Sequence, residues 1–392
     1  MKHRIYRFLF AALILALLLA GCYDRRELNT LGFVMGVAID KGENKDEIEL
    51  SLQMAKVTGS DQSEPGSGSK ESGTGGDSYI NVSASGESIN QIVRDMEYKV
   101  SRRIYVPHNQ VVVFGEDMAR QGIRDGMDFF ARAPEARATV YVLVAKGKAA
   151  DILEADTVFE KMPSSDLKKI IDEQDITSTV PQTTLYDIMN DILSRSKAPI
   201  LPYIEIIDDK GSKRINCLGS AVFKNDKMIG HMDLQQTRGT LYVLDKVQTG
   251  TMTVKFKDAA AAAEIRQSKS KVKLSLKKDG GVKAEIQVRQ TVGIGDQKGT
   301  LNIANAENIP VLLKESEKTV KEEIMAAIDK AKELGADVFG FGKSIYRKYP
   351  RKWKEIEENW EEVFREMETV VKVKSKADGS GRIMRPIAPA VQ

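Results

Sequence analysis

The stretch YINVSASGESINQIVRDMEYKVSRRIYVPHNQVVVF, residues 79–114, decides the fold class. It begins with a predicted strand, Tyr79–Ser85, and ends with a second one, Gln110–Phe114. Between them, apolar side chains recur at the spacing of one helix face, at Ile89, Ile92, Val93, Met96 and Val100. A strand, a helix with one buried face and another strand indicate helices layered on a sheet.

The same alternation continues on both sides of this stretch. Strands are predicted over Thr30–Asp40 and Glu47–Val57 before it, and over Ala136–Ala145 after it. The region that follows, Lys148–Arg195, has a helical pattern. We therefore predict an N-terminal domain over residues 22–198.

A Gly/Ser-rich and acidic tract interrupts this domain at residues 58–78. Its sequence, TGSDQSEPGSGSKESGTGGDS, offers nothing that could build a core, so we predict a flexible loop. The Gly/Pro-rich tail at residues 378–392 is predicted to be disordered.

Two further domains are predicted after the N-terminal one. The middle domain, residues 199–250, contains a hairpin that joins strands Ile215–Lys224 and Met228–His231. The C-terminal domain covers residues 251–377. The predicted fold class is therefore α+β, with three mixed α/β domains that each consist of a β-sheet with packed helices.

The C-terminal domain contains the clearest hairpin of the chain, in which apolar and polar residues alternate between Val272 and Val288. A long amphipathic helix follows and is predicted to end at Gly335, in the C′ position. A second helix begins near Pro350. We predict that its apolar stripe is buried core, with a docking surface as the alternative; the stripe consists of Trp353, Ile356, Trp360 and Phe364.

Residues 1–21 have the layout of a secretory signal, with a basic N-terminal region, an apolar run and small residues before the cleavage site. The apolar run, Phe8–Ala20, is shorter than the roughly 20 residues that a membrane-spanning helix needs. Leu19–Cys22 resembles the bacterial lipobox. We therefore predict a lipoprotein signal peptide over residues 1–21 and lipidation of Cys22 with an S-diacylglycerol and an N-acyl chain. An uncleaved anchor helix is the alternative.

Charge gives no indication of a nucleic-acid partner. The chain has 59 basic and 56 acidic side chains, and the predicted signal accounts for the excess of three basic ones. The mature chain is therefore neutral and has no overall basic field, so no nucleic-acid partner is expected.

One segment resembles a phosphate-binding loop without completing the motif. Gly340–Ser344 ends in Gly-Lys-Ser, but Asp337 occupies the position at which a P-loop has its first glycine. A carboxylate would repel phosphate at that place, so we interpret the segment as a glycine-rich link between two packed helices.

Other candidate chemistry is sparse. After the signal, only His108 and His231 remain among the histidines, and neither has the spacing of a zinc site. Cys217 has no partner for a disulfide once Cys22 is lipidated, and we interpret it as a core residue, with a reactive thiol as the alternative. No catalytic, cofactor-binding or metal-ligating residues are predicted, and ligand-binding residues remain unknown.

Three blocks of sequence nevertheless resemble the Ger(x)C family of spore germination lipoproteins. They lie in order over residues 22–375 and comprise Cys22–Leu28 with Gly32 and Gly36–Asp40, Gly219–Lys224 with Gly230 and Thr237–Gly239, and Ala336–Gly342 with Tyr349, Pro350, Trp353, Asn359 and Trp360.

This resemblance implies the C subunit of a nutrient germinant receptor. Such a subunit is lipid-anchored to the outer face of the spore inner membrane, beside two integral-membrane subunits of A and B type. It implies three mixed α/β domains, no enzymatic activity and no cofactor. It supplies no ligand-binding residues, so Cys22 is the one predicted site residue.

Two other classes of function compete with this interpretation. An extracytoplasmic solute-binding lipoprotein of a transporter would normally have two large lobes that close on a ligand. A cell-envelope hydrolase would need a nucleophile, acid or base constellation, and we find no such signature in the sequence.

Overall fold

The computed structural model describes residues 3–8, 10, 30–44, 46–56, 78–133, 136–194, 196–255, 260–278, 281–298, 305 and 307–378. Several predictions fall outside the described residues: Cys22, the 58–78 tract apart from Ser78, and the 378–392 tail apart from Asp378. They stay predictions.

The strands between Leu31 and Met232 form one nine-stranded sheet. They are β1 Leu31–Lys41, β2 Ile48–Ala55, β3 Tyr79–Gly86, β4 Arg103–Tyr105, β5 Val111–Gly115, β6 Tyr141–Ala145, β7 Ile200–Asp209, β8 Ser212–Lys224 and β9 Lys227–Met232. Their order is β3-β2-β1-β5-β6-β7-β8-β9, and β4 also pairs with β1. The β1, β5, β6 and β7 strands are parallel, whereas hairpins extend the sheet at both edges.

Helices cover both faces of this sheet. They are α1 Ile89–Glu97, α2 Glu116–Gln121, α3 Arg124–Arg132, α4 Ala149–Ile152, α5 Pro163–Asp172, α6 Gln174–Thr177, α7 Leu185–Leu193 and α8 Leu234–Val243. Val112 and Phe114 belong to the apolar cluster on one face, and Val111 and Val113 to the cluster on the other. Because side chains alternate along a strand, a sheet covered on both faces needs a continuous apolar run such as this one.

The second sheet has four strands in sequential order: β10 Gly250–Lys255, β11 Ala260–Leu276, β12 Val282–Lys298 and β13 Glu368–Ala377. The predicted hairpin is confirmed, since Val272 pairs with Ile286 and Leu274 with Ala284. The helices of this part are α9 Ile309–Leu334, α10 Phe341–Lys348, α11 Pro350–Ile356 and α12 Trp360–Glu366. The α9 helix ends as predicted, with Gly335 at φ 66°. The mixed α/β class, with helices packed on sheets, is thus confirmed.

The structure differs from the sequence prediction in the number of sheets. The strands of the 199–250 segment join the N-terminal sheet, because β7 pairs in parallel with β6 through Val144 and Tyr203. β6 is apolar and buried, so an open edge at this place would leave its backbone groups without partners. The domain boundaries at residues 198 and 250 stay a prediction.

The predicted apolar stripe of the C-terminal domain is buried, but it lies on two helices and not on one. Trp353, Ile356, Trp360 and Phe364 are each at most 8% exposed. The helix is interrupted between Ile356 and Trp360, so that α11 ends at Ile356 and α12 begins at Trp360. Seven positions along a straight helix would put the two tryptophans about 10 Å apart, whereas the break brings their ring centroids to 5.4 Å.

The two sheets are joined by the contact of α8 with α9. At the crossing, a Cβ on Gly239 would lie 2.1 Å from the backbone oxygen of Glu323, so no side chain fits there. Beside it, the Arg238 guanidinium binds both carboxylate oxygens of Glu323, with an Nε to Oε2 distance of 2.8 Å. We call this crossing, Arg238 and Gly239 on α8 against Glu323 and Ala327 on α9, the sheet junction.

The 58–78 tract can be tested by shortening. Replacing residues 58–77 with a turn of about four residues should leave the melting temperature almost unchanged, because β2 and β3 are already neighbouring strands. Ala55 pairs with Tyr79, and the Lys56 N–H donates to the Ser78 carbonyl at 2.9 Å. Circular-dichroism melts measure this, and a drop of more than about 5 °C would show that the tract contributes to the core.

The sheet junction predicts a large effect for a very small substitution. Gly239→Ala should lower the free energy of unfolding by about 3 kcal/mol, because the new methyl group forces α8 away from α9. Gly293→Ala is a matched control, since its Cβ would meet only the movable side chain of Arg266 at 3.1 Å. The control should stay within about 0.5 kcal/mol of the wild type. Equal denaturant midpoints for both variants would contradict the assignment.

Trp360 gives a test of the buried stripe. Trp360→Ala should cost about 3–5 kcal/mol, because the indole is only 7% exposed and packs against Trp353 and Phe364. Tyr346→Ala is the control on a neighbouring helix, because Tyr346 is 56% exposed. An unchanged melting temperature of the Trp360→Ala variant would contradict the core assignment and favour the docking-surface alternative.

Candidate functional site

The one predicted site residue, Cys22, lies outside the described residues, so its lipidation stays a prediction. Among the residues that the structure describes, no group of three or more His, Cys, Asp and Glu side chains is arranged to hold a metal ion. No helix in the described ranges is long and apolar enough to cross a membrane.

Asp337 explains why the Gly340–Ser344 segment is not a phosphate loop. Its carboxylate accepts hydrogen bonds from the backbone N–H groups of Phe341, at 3.1 Å, and Gly342, at 2.7 Å. These are the first N–H groups of α10, the place at which a phosphate-binding helix would hold its anion. The chain therefore fills this position with its own carboxylate. The interpretation as a link between helices is right for Gly340 alone, because Phe341–Ser344 form the first turn of α10.

The Asp337 carboxyl is fully enclosed, which affects its ionisation. Burial raises the pKa of Asp337 to about 6, although the two backbone N–H donors favour the charged form and act against this shift. At neutral pH the group is charged and holds the start of α10. Gly340, at φ 71°, provides the turn that lets the chain fold back onto this carboxylate.

The remaining titratable candidates do not form a nucleophile–base arrangement in the described part of the chain. Burial raises the pKa of the Cys217 thiol to about 11, which favours the protonated form. Cys217 is half-buried and packs against an apolar cluster of the first sheet, so it lies at the margin of the core and not inside it. His231 stacks near the ring of Tyr203, at 5.4 Å between centroids. The Tyr203 hydroxyl donates to Glu116 at 2.9 Å, which ties β7 to α2.

The middle block of the family resemblance lies beside the sheet junction. Gly219 adopts φ 123°, and a Cβ there would lie 2.3 Å from the Met232 oxygen, so only glycine lets β8 pass this close to the start of α8. Ser220 and Thr237 join their hydroxyls at 3.0 Å in the buried space between them. Thr237 leads directly into Arg238 and Gly239, so this block holds α8 in place.

The C-terminal block reaches the same region from the second sheet. The Ala198 N–H donates to the backbone oxygen of Asp337 at 2.9 Å, which attaches the segment before β7 to the start of α10. Gly342 has no room for a side chain either, because a Cβ would lie 2.9 Å from both the Ser196 oxygen and the Trp360 indole. The described residues of the middle and C-terminal blocks thus serve to pack the two sheets together.

A cleft with a volume of about 490 Å³ opens next to this region. It is lined mainly by α7 and the segment before it, with contributions from α8 and α10, and its size falls in the range of small-molecule sites. Asp191, on α7, pairs with Lys197 at 2.5 Å, and burial raises the pKa of this aspartate while Lys197 opposes the shift. Lys343 adds a further positive charge to the wall.

The cleft wall carries charges of both signs, from Asp191, Lys197 and Lys343. Sequence reasoning missed it, because Asp191 is one polar residue inside an apolar helical stripe. The signal that could have indicated the cleft was the place of this aspartate on the buried side of α7, between Ile188 and Ile192.

Two family models match this chain over most of its length. The first, described as the spore germination protein N-terminal domain, matches residues 24–206. The second, described as spore germination B3/GerAC like, C-terminal, matches residues 218–381.

Individual proteins agree with these matches. The chain is 29% identical to the putative spore germination protein YfkR of Bacillus subtilis (strain 168), over 95% of each chain. It is 27% identical to spore germination protein KC of the same organism, over 90% of each chain. The crystal structure of the GerBC protein has the same fold, with a TM-score of 0.57 and 19% identity, and the match covers 90% of this chain and 100% of that one. The chain belongs to the GerAC-like, Ger(x)C family of spore germination proteins.

Proposed function

We propose that this protein is the lipid-anchored C-type subunit of a spore nutrient germinant receptor, without enzymatic activity. It sits on the outer face of the spore inner membrane through Cys22 and assembles with two integral-membrane subunits of A and B type. It is required for germination in response to small-molecule nutrients. The match of both family models, in order along the chain, is the observation that carries this proposal.

The geometry supports a role in assembly and signalling over one in catalysis. In the middle and C-terminal blocks, Gly239 and Gly342 allow close backbone approaches, and the Asp337 carboxylate holds the start of α10. The Asp337 carboxylate is occupied by two backbone N–H groups, and the Cys217 thiol is held protonated. These groups are therefore committed to the fold.

A gene deletion distinguishes the receptor from the transporter lipoprotein. Spores that lack this protein should fail to germinate with its nutrient, while vegetative cells should take up that nutrient at the normal rate. Loss of uptake with normal germination would favour the solute-binding lipoprotein. The measurements are loss of spore refractility and uptake of the radiolabelled nutrient.

The anchor residue gives a direct test of the membrane attachment. Cys22→Ala should move the protein from the membrane fraction to the soluble fraction and reduce nutrient-triggered germination, because two or three acyl chains are needed for firm attachment. The fold should be retained, since the buried residues of the described part lie between Leu31 and Val371. Mass spectrometry of the wild type should identify an N-terminal peptide that begins at acylated Cys22.

The other cysteine supplies the control. Cys217→Ala removes a thiol of the same chain without touching the anchor, so localisation and germination should be unchanged. An intact Met1–Gly21 segment on the mature wild-type protein would refute the cleavage. Normal germination of spores that carry only Cys22→Ala would show that the anchor has no role.

A further inference from the structure

We infer that the segment Tyr98–Arg103 is a second membrane contact, which binds anionic lipid headgroups beside the lipid anchor. This inference rests on the proposed anchoring through Cys22. It concerns the loop between α1 and β4, whose sequence is Tyr-Lys-Val-Ser-Arg-Arg. We call this loop the basic segment.

The pairing of β4 with β1 places the basic segment at the anchored end of the protein. Arg103 pairs with Leu31, the first residue of β1, and the Cβ of Arg102 lies 3.6 Å from the Cβ position of Gly32. β4 is only three residues long, but the Tyr105 ring packs edge-on against Phe33, with 5.6 Å between centroids, and this contact keeps the strand in register. The two arginines are therefore held next to the point at which the folded chain begins.

The length of chain that leads to the anchor is short. Thr30 is eight residues after Cys22, and eight residues reach at most about 28 Å when fully extended. Lys41, at the other end of β1, lies about 33 Å further along the strand. The beginning of β1 is thus the end that the anchor keeps close to the membrane, and the basic segment has a high effective concentration at the lipid surface.

The charge and exposure of the basic segment fit an anionic lipid surface. Lys99, Arg102 and Arg103 carry three positive charges, and no acidic residue lies between Tyr98 and Arg103. Within the described part of the chain, none of these three side chains has a hydrogen bond or an ion pair. In contrast, Lys146 and Lys148, after β6, each pair with a glutamate. The three positive charges of the basic segment are therefore available to bind anionic lipid headgroups.

Tyr98 adds the apolar component of such a contact. Tyr98 directly follows the last residue of α1, and its side chain is 90% exposed. The large apolar surface of its ring therefore faces solvent. An aromatic ring with a polar tip, next to lysine and arginine, is the combination that favours the headgroup region of a bilayer. A lipid surface explains both the exposed ring and the unpaired charges.

Vesicle binding tests this inference without the anchor. The chain from residue 22 onwards, which retains the whole described core, is prepared with Cys22→Ser and sedimented with vesicles of phosphatidylcholine, with and without phosphatidylglycerol. Phosphatidylglycerol should increase binding, and added salt should reverse the increase. The variant K99Q/R102Q/R103Q should bind these anionic vesicles at least about tenfold more weakly.

Two further variants make the result specific. K41Q/K210Q/K213Q removes three exposed lysines away from the anchored end, where Lys41 ends β1 and Lys210 begins the β7–β8 turn, and it should retain binding within about twofold. K99Q/R103Q spares the half-buried Arg102 and should still weaken binding if the triple variant does not fold. Circular-dichroism melts check each variant.

Three results would overturn the inference. The first is equal binding of the wild type to both vesicle types, and the second is an equal loss of binding in K99Q/R102Q/R103Q and in K41Q/K210Q/K213Q. The third is that spores with K99Q/R102Q/R103Q lose germination although this variant binds vesicles as the wild type does. The last would assign the segment to a protein partner. None of these bears on the receptor role, which the gene deletion tests. Failure of Cys22 acylation would remove the proposed anchor, and the vesicle assay would still measure the segment itself.

Discussion

The absence of a side chain at Gly239 lets α8 lie directly on the backbone of α9, and the arrangement of both sheets depends on this contact. α8 is fixed to the first sheet by the hydroxyl pair of Ser220 and Thr237. α9 packs on β13 and β10 of the second sheet. One apolar cluster consequently runs from Val222 of the first sheet to Val288 of the second. A wider helix separation would open that cluster to water, at about 25 cal/mol for each Å² of apolar surface exposed.

The ion pair beside the glycine selects one position of α8 on α9. The Arg238 side chain is 17% exposed and that of Glu323 only 3%, so both charges have lost most of their water. Their attraction offsets that loss only when both hydrogen bonds form, which requires the helices to meet in a single register. A purely apolar crossing would tolerate sliding by a helical turn. We therefore attribute the defined orientation of the two sheets to this pair together with the glycine.

Local features of the fold were predictable from the sequence, whereas distant contacts were not. The β11–β12 hairpin and the Gly335 helix end follow from residues close in the chain. The pairing of β6 with β7 and the contact of Arg238 with Glu323, 85 positions away, follow from tertiary packing that no local pattern encodes. Asp337 shows an intermediate case: its mismatch with a phosphate loop was visible, but its hydrogen bonds to the start of α10 required the structure.

The middle and C-terminal family blocks lie at or beside the sheet junction and take part in its packing. The cleft next to the junction is instead lined by residues outside these blocks. Lys197 pairs with Asp191 in that cleft, and the next residue, Ala198, donates to the Asp337 backbone oxygen. A charged molecule that separated Lys197 from Asp191 would therefore act one residue away from the contact between the two sheets. A molecule that bound the cleft more tightly in one arrangement of the junction than in another would therefore be coupled to that arrangement in both directions.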